Sequence, residues 1–266
     1  MIGRRQLPAE YLQWNERWGA PFGHPCAQQY GIGYRLRDPD VARFGPFAFQ
    51  VNASTRQFEY PWAYFTARPA RGMRVLEVGG GLSGLQFVMA LEGCDVTNVD
   101  PSSSEGWSLM PGMSWSLSLD NIRMLNTAFG TDVHIVEERI QNAELSGGSF
   151  DRVFCMSVLE HVDVEEGKSV LRAAERLLAP GGLCLVTVDL FLDLRPFGVL
   201  DRNFWGTNVD VHELVGAVDM ELVCGDPCEL FGFPEFDEQR VVGLLPELLI
   251  GHYPALSQAF ALRRRG

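Results

Sequence analysis

Apolar and polar positions follow one another in short blocks along this chain, and the clearest blocks lie between residues 73 and 100. Val75, Leu76 and Val78 belong to an almost wholly apolar stretch, which is typical of a strand covered on both faces. Glycines then break the chain before a helical apolar pattern, and a second apolar stretch stops at Asp100. The pattern predicts a strand, a glycine turn, a helix and a second strand.

Further blocks predict more strands and three helical regions. The predicted strands lie at 134–140, 152–162, 183–190, 220–226 and 258–262. Aromatic residues at about helical spacing predict a helix at 58–65, with Pro61 in its opening turn. Asn208 is a plausible N-cap for a helix that includes His212, and residues 236–256 suggest a helical insertion before the last strand.

The glycine turn predicts a nucleoside site. Gly79, Gly80 and Gly81 let backbone approach a ligand with no Cβ in the way, and the next helix turns its free amide groups toward the same space. Asp100 follows at the spacing where an acidic residue at the end of a second strand takes both hydroxyls of a ribose. We therefore expect an adenosine compound to bind here.

Two kinds of adenosine compound compete for this turn. Gly79, Gly81 and Gly84 satisfy the GxGxxG spacing of dinucleotide folds, which leaves an NAD(P)-dependent oxidoreductase as an alternative. Glu77 argues against it, because a carboxylate two positions before Gly79 would repel pyrophosphate and suits an ammonium group instead. S-adenosylmethionine carries an ammonium, a sulfonium and a ribose, so Glu77 and Asp100 together fit it better.

These residues also carry a family resemblance. Glu77, Gly79 and Gly81 form an acid-x-Gly-x-Gly motif after a strand, and motifs at 149–151 and 180–182 follow in order. The chain resembles the class I S-adenosylmethionine-dependent methyltransferases over residues 57 to 190, and its segment SVLEHV is similar to the small-molecule methyltransferases of quinone biosynthesis. The family's usual third glycine falls on Ser83.

The resemblance implies an α/β fold, a doubly wound, seven-stranded and mostly parallel Rossmann-like sheet in the order 3-2-1-4-5-7-6, with the last strand antiparallel. Residues 1–56 would form an N-terminal cap over the site. Residues 57–266 would form the cofactor-binding domain, with insertions near 102–119 and 227–256.

The resemblance also assigns cofactor contacts. The loop after the third strand should pass along the adenine, where Arg139 and Ile140 stand in place of the family's acidic and small apolar residues; Glu138 would substitute for the acid if the register moved by one. Met156, at the end of the fourth strand, would lie beside the methionine part. The predicted cofactor set is Glu77, Gly79, Gly80, Gly81, Asp100, Pro101, Arg139, Ile140 and Met156.

Fewer residues are candidates for contact with the methyl acceptor. Tyr60 serves equally well as a packing residue or a substrate contact, and Trp107 and Trp115 suit an apolar lid over the substrate or a dimer contact. His161 is the best candidate for a general base, since it follows the fourth strand beside acidic neighbours. Base rates slightly favour oxygen over nitrogen or carbon as acceptor, and a binding protein without turnover remains a further alternative.

The composition of the chain limits the kinds of partner that we expect. The 266 residues, 46% hydrophobic, suffice for one large α/β core. A net charge of −12 argues against a nucleic-acid substrate, and the basic run 263–265 reads as a polar tail after the last strand. No apolar stretch approaches a membrane span, and six scattered cysteines indicate reduced core residues without a structural metal. We expect a cytoplasmic protein with a small-molecule substrate, and the apolar segment 244–250 leaves a homodimer open.

Overall fold

Seven strands form one sheet in the computed structural model, which describes residues 1–101, 118–251 and 253–266. The strands are β1 (Arg74–Val78), β2 (Asp95–Val99), β3 (His134–Val136), β4 (Phe150–Met156), β5 (Leu178–Phe191), β6 (Met220–Cys224) and β7 (Ala255–Arg264). Their order is β3-β2-β1-β4-β5-β7-β6. Strand β7 is antiparallel to β5 and β6, whereas the pairs β1–β2, β2–β3 and β4–β5 are parallel. The predicted fold class and strand order are confirmed.

Helices accompany the sheet along the chain. They are α1 (Ala9–Trp18), α2 (Ile32–Arg35), α3 (Arg56–Ala67), α4 (Gly84–Leu91), α5 (Leu119–Phe129), α6 (Val164–Leu177), α7 (Val211–Val215) and α8 (Glu238–Leu244). In the parts of the chain that the structure describes, none of the helices is long and apolar enough to cross a membrane.

The chain divides into two compact units. The N-terminal unit is Pro8–Glu144, and the C-terminal unit joins Met1–Leu7 to Leu145–Gly266. The first residues belong to the C-terminal unit because Ile2 forms a bridge with Gln258 of β7. The predicted boundary between a cap at 1–56 and a domain at 57–266 stays a prediction.

The N-terminal unit is built on the strands predicted from the apolar pattern. Val75, Leu76 and Val78 of β1 are all buried, so β1 is covered on both faces as expected. The parallel register sets Glu77 of β1 beside Asn98 of β2. Both strands therefore bring polar side chains to the end where the glycine turn begins.

Helix α3 starts earlier than predicted. Pro61 lies inside the helix, so its expected place in the opening turn is wrong. A proline has no backbone N–H, which leaves the carbonyl oxygen of Gln57 without its helical donor. Asn15 of α1 supplies one, since its Nδ2 donates to that oxygen at 2.8 Å. A side chain from a neighbouring helix thus satisfies the group that the proline releases.

In the C-terminal unit, β5 takes in the Pro-Gly-Gly segment. Leu178 pairs with Phe150 directly after α6 ends, the register then shifts, and pairing resumes at Leu183. Residues 179–182 therefore form an irregularity inside the strand and not the separation between helix and strand that the sequence predicts. Gly181 has a φ of 76°, a conformation that favours glycine.

Two predictions about the C-terminal unit are wrong. Arg263 and Arg264 lie within β7 and not in a polar tail, because both still pair with β6. Asn208 does not cap α7, since Asp210 accepts the hydrogen bond from Glu213 N at 2.7 Å. Asn208 instead exchanges hydrogen bonds with the backbone of Phe191, at 2.6 and 2.9 Å, at the end of β5.

Three of the six cysteines are core residues, and the other three are half-buried. All six are free thiols, and Cys94, Cys155 and Cys184 are buried. Burial raises the pKa of Cys184 to about 12, which keeps this thiol protonated at neutral pH.

Candidate active site

The glycine turn after β1 requires its glycines for separate reasons. Gly79 and Gly81 have φ values of 65° and 54°, which side chains rarely adopt. Gly80 has ordinary backbone angles, but a Cβ there would lie 2.9 Å from the side chain of Glu77. The turn can fold over Glu77 only while these positions lack side chains.

A buried amide pair fixes the turn. Asn98 Nδ2 donates to Gly81 O at 3.0 Å and to Gln86 Oε1 at 3.1 Å. Gln86 Nε2 donates to Gly81 O at 3.1 Å as well. Neither amide was predicted as a site residue. The available signal was Asn98 itself, a polar residue inside an apolar strand and wholly buried in the structure.

Gly84 has a packing role. A Cβ on Gly84 would lie 2.4 Å from the ring of Phe47, so this position is glycine to admit an aromatic ring. Ser83, at the family's usual third glycine, caps α4 by accepting from Leu85 N at 3.1 Å. The GxGxxG spacing therefore arises here without a phosphate-binding role for Gly84.

Asp100 is tied to the same turn. Its Oδ2 accepts a hydrogen bond from Gly81 N at 2.7 Å, and its own N–H donates to Val136 O at 3.0 Å. The side chain is buried, and the following Pro101 is half-buried. The end of β2 and the glycine turn thus hold a carboxylate in a fixed place.

Glu77 is a buried carboxyl group, and one of its oxygens lacks a hydrogen-bond partner in the described part of the chain. It is 2% exposed, and its Oε2 has no hydrogen-bond partner among the residues that the structure describes. Burial raises the pKa of Glu77 to about 7, although the Ser83 hydroxyl and the Arg56 guanidinium favour the charged form. Oε2 of Glu77 is therefore a buried acceptor with capacity for one further hydrogen bond.

Tyr60 lies in the core beneath this region. It is 1% exposed, and its hydroxyl donates to Asn52 Oδ1 at 2.8 Å. Burial raises the pKa of Tyr60 to about 12. Arg56, which sequence reasoning missed, lies over the Tyr60 ring at 5.5 Å and forms an ion pair with the buried Glu59. The Tyr60 substrate contact stays a prediction.

The structure says less about the other predicted site residues of the N-terminal unit. Ile140 is buried and Arg139 is half-buried, with its backbone N–H donating to Glu138 Oε1 at 2.9 Å. Trp107 and Trp115 lie outside the described residues. The roles predicted for these residues are not tested.

In the C-terminal unit, the end of β4 is held to β5. Met156 is the last residue of β4 and is buried. Ser157 follows with a φ of 49°, which is unusual for a side-chain-bearing residue and is often found at functional sites. Its N–H donates to Thr187 O at 2.9 Å, so β5 stabilises this conformation.

Two buried carboxyl groups lie beyond this point. Glu160 is wholly buried, and its Oε1 accepts from Asp189 N at 3.2 Å. Asp189 is 3% exposed, and its Oδ2 accepts from the Tyr253 hydroxyl at 2.8 Å. Neither Tyr253 nor Asp189 is among the site residues predicted from the sequence.

His161 is joined to the same group of residues. Its Nδ1 lies 2.5 Å from Trp205 O, and the Trp205 ring stacks on Tyr253 at 4.8 Å between centroids. Because a carbonyl oxygen can only accept, Nδ1 carries the hydrogen, and Nε2 is the basic atom of the neutral ring. The role of His161 as general base stays a prediction.

Metal ligands do not gather at either place. Over the described ranges, no group of three or more His, Cys, Asp or Glu side chains is arranged to hold a metal ion.

Comparison with known proteins identifies the family of the chain. A family model described as a methyltransferase domain matches residues 53–223. The chain belongs to this methyltransferase family. The methyltransferase is 30% identical over 203 residues to a ubiquinone biosynthesis O-methyltransferase of Escherichia coli, covering 72% of this chain and 70% of the relative. It is 27% identical over 207 residues to the enzyme of the same name from Photorhabdus laumondii, with the same coverage.

Solved structures agree with the fold of this methyltransferase. A Burkholderia thailandensis 1,6-didemethyltoxoflavin-N1-methyltransferase, which holds S-adenosylhomocysteine, matches with a TM-score of 0.52 at 15% identity, over 100% of this chain and 95% of that one. A geranyl diphosphate methyltransferase matches with a TM-score of 0.53 at 12% identity, over 98% and 96%. The protein is an S-adenosylmethionine-dependent methyltransferase, and the oxidoreductase alternative is not supported.

Proposed function

We propose that this methyltransferase transfers the methyl group to a hydroxyl oxygen of a small molecule. The relatives that match 72% of the chain are named for O-methyl transfer, which supports oxygen over nitrogen or carbon. The acidic net charge, −12 for the chain, favours a small acceptor over nucleic acid. A cytoplasmic location and a homodimer stay predictions.

The cofactor-binding proposal depends on one observation, the buried Glu77 whose Oε2 lacks a hydrogen-bond partner in the described structure. We assign the cofactor's ammonium group to Glu77, because an opposite charge offsets the burial of a carboxylate. Asp100 would take the ribose hydroxyls, while Gly79, Gly80 and Gly81 let the turn lie close to the ligand. Arg139, Ile140 and Pro101 belong to the same proposed set, and the part predicted for Met156 stays a prediction.

When bound, S-adenosylmethionine supplies an electrophilic methyl group activated by the positive sulfonium. The protein's part is then to orient the donor and the acceptor, to exclude water and to accept the acceptor's proton if it arrives protonated. The buried amides Asn98 and Gln86 contribute by holding the glycine turn rigid before any ligand arrives. His161 is the base that the sequence predicts.

Calorimetric titration tests the cofactor site. Wild-type protein should bind S-adenosylhomocysteine and not NAD. Glu77→Gln and Asp100→Asn should each weaken that binding by about 1 to 3 kcal/mol, the range for a lost hydrogen bond to a charged group. Glu221→Gln, at an exposed residue of β6, is the matched control and should bind normally. Unchanged affinity in both site variants would place the cofactor elsewhere.

Turnover is tested separately. Purified protein, methyl-labelled cofactor and a cell extract should yield label in small molecules. Binding of the cofactor without any transfer of label would favour a binding protein that has lost turnover.

A further inference from the structure

The segment before α3 brings an amide side chain to the glycine turn. A Cβ built at Gly81 would lie 2.9 Å from Gln50 Oε1, so the Gln50 amide contacts this glycine on the face from which a side chain would project. Gln50 is half-buried, and it belongs to the N-terminal unit together with the turn. Residue 50 was predicted only as part of the cap at 1–56.

Asp100 lies on the same face of Gly81. Its Oδ2 is 4.0 Å from the same Cβ position, and it accepts the hydrogen bond from Gly81 N at 2.7 Å. An amide and a carboxylate therefore flank one glycine of the turn. The two groups differ in what they offer a ligand, because an ionised carboxylate only accepts hydrogen bonds whereas a glutamine Nε2 donates two.

The chain on both sides of Gln50 is held by buried residues. Phe49 is 1% exposed, and its ring lies 6.1 Å from the ring of Phe129 in α5. Asn52 is buried, and its Oδ1 accepts a hydrogen bond from the Tyr60 hydroxyl at 2.8 Å. Because both neighbours are fixed within the N-terminal unit, the approach of Gln50 to the turn follows from the fold.

Gln50 differs from the amides that support the turn. Asn98 and Gln86 each donate to Gly81 O, at 3.0 and 3.1 Å. Within the described ranges, the Gln50 side chain forms no hydrogen bond to the turn. Contact between its Oε1 and a Cα–H is at most a weak interaction, and fixing a glutamine side chain costs conformational entropy. An apolar side chain would cover the turn as well, so the amide favours a role toward a ligand.

We infer that Gln50 is a specificity-determining contact of the cofactor, and that its Nε2 donates to a ribose hydroxyl whose own proton is directed to Asp100. The inference rests on the proposed function, in which Asp100 takes the ribose hydroxyls. A hydroxyl group both donates and accepts, so a carboxylate and an amide satisfy it together. A site built in this way discriminates against a nucleoside that lacks the hydroxyl.

Ligands that differ by one hydroxyl test the inference. Calorimetry compares S-adenosylhomocysteine with its 2′-deoxy and 3′-deoxy analogues, on wild type and on Gln50→Met, which keeps the length of the side chain and removes the amide. The substitution should weaken binding of S-adenosylhomocysteine by about 5-fold, the size of one net hydrogen bond. With the analogue that lacks the contacted hydroxyl, it should cost less than about 2-fold, because the partner is already absent.

A matched control and a second variant complete the design. Gln29→Met changes the same residue type at an exposed position of the short helix Pro25–Gln29, and should bind all three ligands as wild type does. Gln50→Asn keeps an amide that is one methylene too short, and should give the same pattern of losses as Gln50→Met. Urea unfolding of each variant shows that it is folded at the temperature of the titration.

The contrary outcomes have distinct meanings. An equal loss on all three ligands would overturn the inference, because Gln50 would then only shape the turn. Unchanged affinity of both Gln50 variants for S-adenosylhomocysteine would overturn it as well. Wild-type protein that binds no S-adenosylhomocysteine would instead overturn the proposed function, on which the inference rests.

Discussion

Asn15 of α1 donates a hydrogen bond at 2.8 Å to the carbonyl oxygen of Gln57, four residues before Pro61 in α3. The bond joins two helices of the N-terminal unit at the point where the proline interrupts the helical ladder. Asn15 is almost fully buried, and its role is to satisfy the carbonyl group that the proline leaves without a donor.

Asn15→Ala should lower the free energy of unfolding by about 1 to 3 kcal/mol, because it leaves a buried carbonyl oxygen unsatisfied. In a Pro61→Ala background the same substitution should have a smaller effect, since the alanine restores the helical N–H. Urea unfolding of the two single variants and the double variant measures this coupling. Additive effects would show that the two residues act independently.

Gly84→Ala should destabilise the protein, because its Cβ would lie 2.4 Å from a ring atom of Phe47. We expect a loss of about 1 to 3 kcal/mol, as for other overpacked sites, and partial recovery when Phe47→Leu is added. Thermal or urea unfolding measures both. The control is Gly243→Ala in α8, where a Cβ meets nothing within 4 Å and should be neutral or stabilising.

Glu77 should make stability depend on pH. Its pKa is about 7 in the folded protein against 4.5 ordinarily. Above pH 4.5 the unfolded chain loses this proton while the folded protein keeps it until about pH 7, so the free energy of unfolding should fall across that interval. The expected loss is about 3 kcal/mol. Without cofactor, Glu77→Gln should lack this loss, and parallel pH curves for both proteins would contradict the assignment.

His161→Asn separates two roles for the histidine. An asparagine Nδ2 can replace the Nδ1 donor to Trp205 O but supplies no basic nitrogen. If His161 positions Trp205, the rate at which label enters small molecules of the extract should stay within about 5-fold of wild type, whereas loss of a general base lowers it by about 100-fold. His161→Ala should lower activity in either case, and the comparison of Asn with Ala gives the decision.

The sheet was predictable because buried parallel strands leave a continuous apolar signal, as at Val75, Leu76 and Val78. The positions of the two acidic residues of the proposed cofactor site were predictable as well, since Glu77 lies next to the end of β1 and Asp100 follows β2. Prediction failed where partners are distant along the chain. Pro61 lies deeper in its helix than expected because a donor from α1 compensates for it.

The buried polar residues of the C-terminal unit show the same limit of prediction from the sequence. Asp189 and Tyr253 meet only through the register of β5 with β7, which no local pattern encodes. Asn208 looked like a helix cap because its type suits one, yet the end of β5 offered it two backbone partners. Local propensity identifies such polar residues as interesting but does not identify their partners.

The contact between Gly84 and Phe47 bears on attempts to change the cofactor of this enzyme. The turn already has every glycine that a dinucleotide fingerprint asks for, although one of them merely makes room for an aromatic ring. Adding or moving glycines would therefore leave ligand preference where it is. With Glu77 on the cofactor's ammonium group as proposed, an engineer seeking NAD binding would begin by removing this carboxylate, and would have to refill the space beneath the turn that its side chain now occupies.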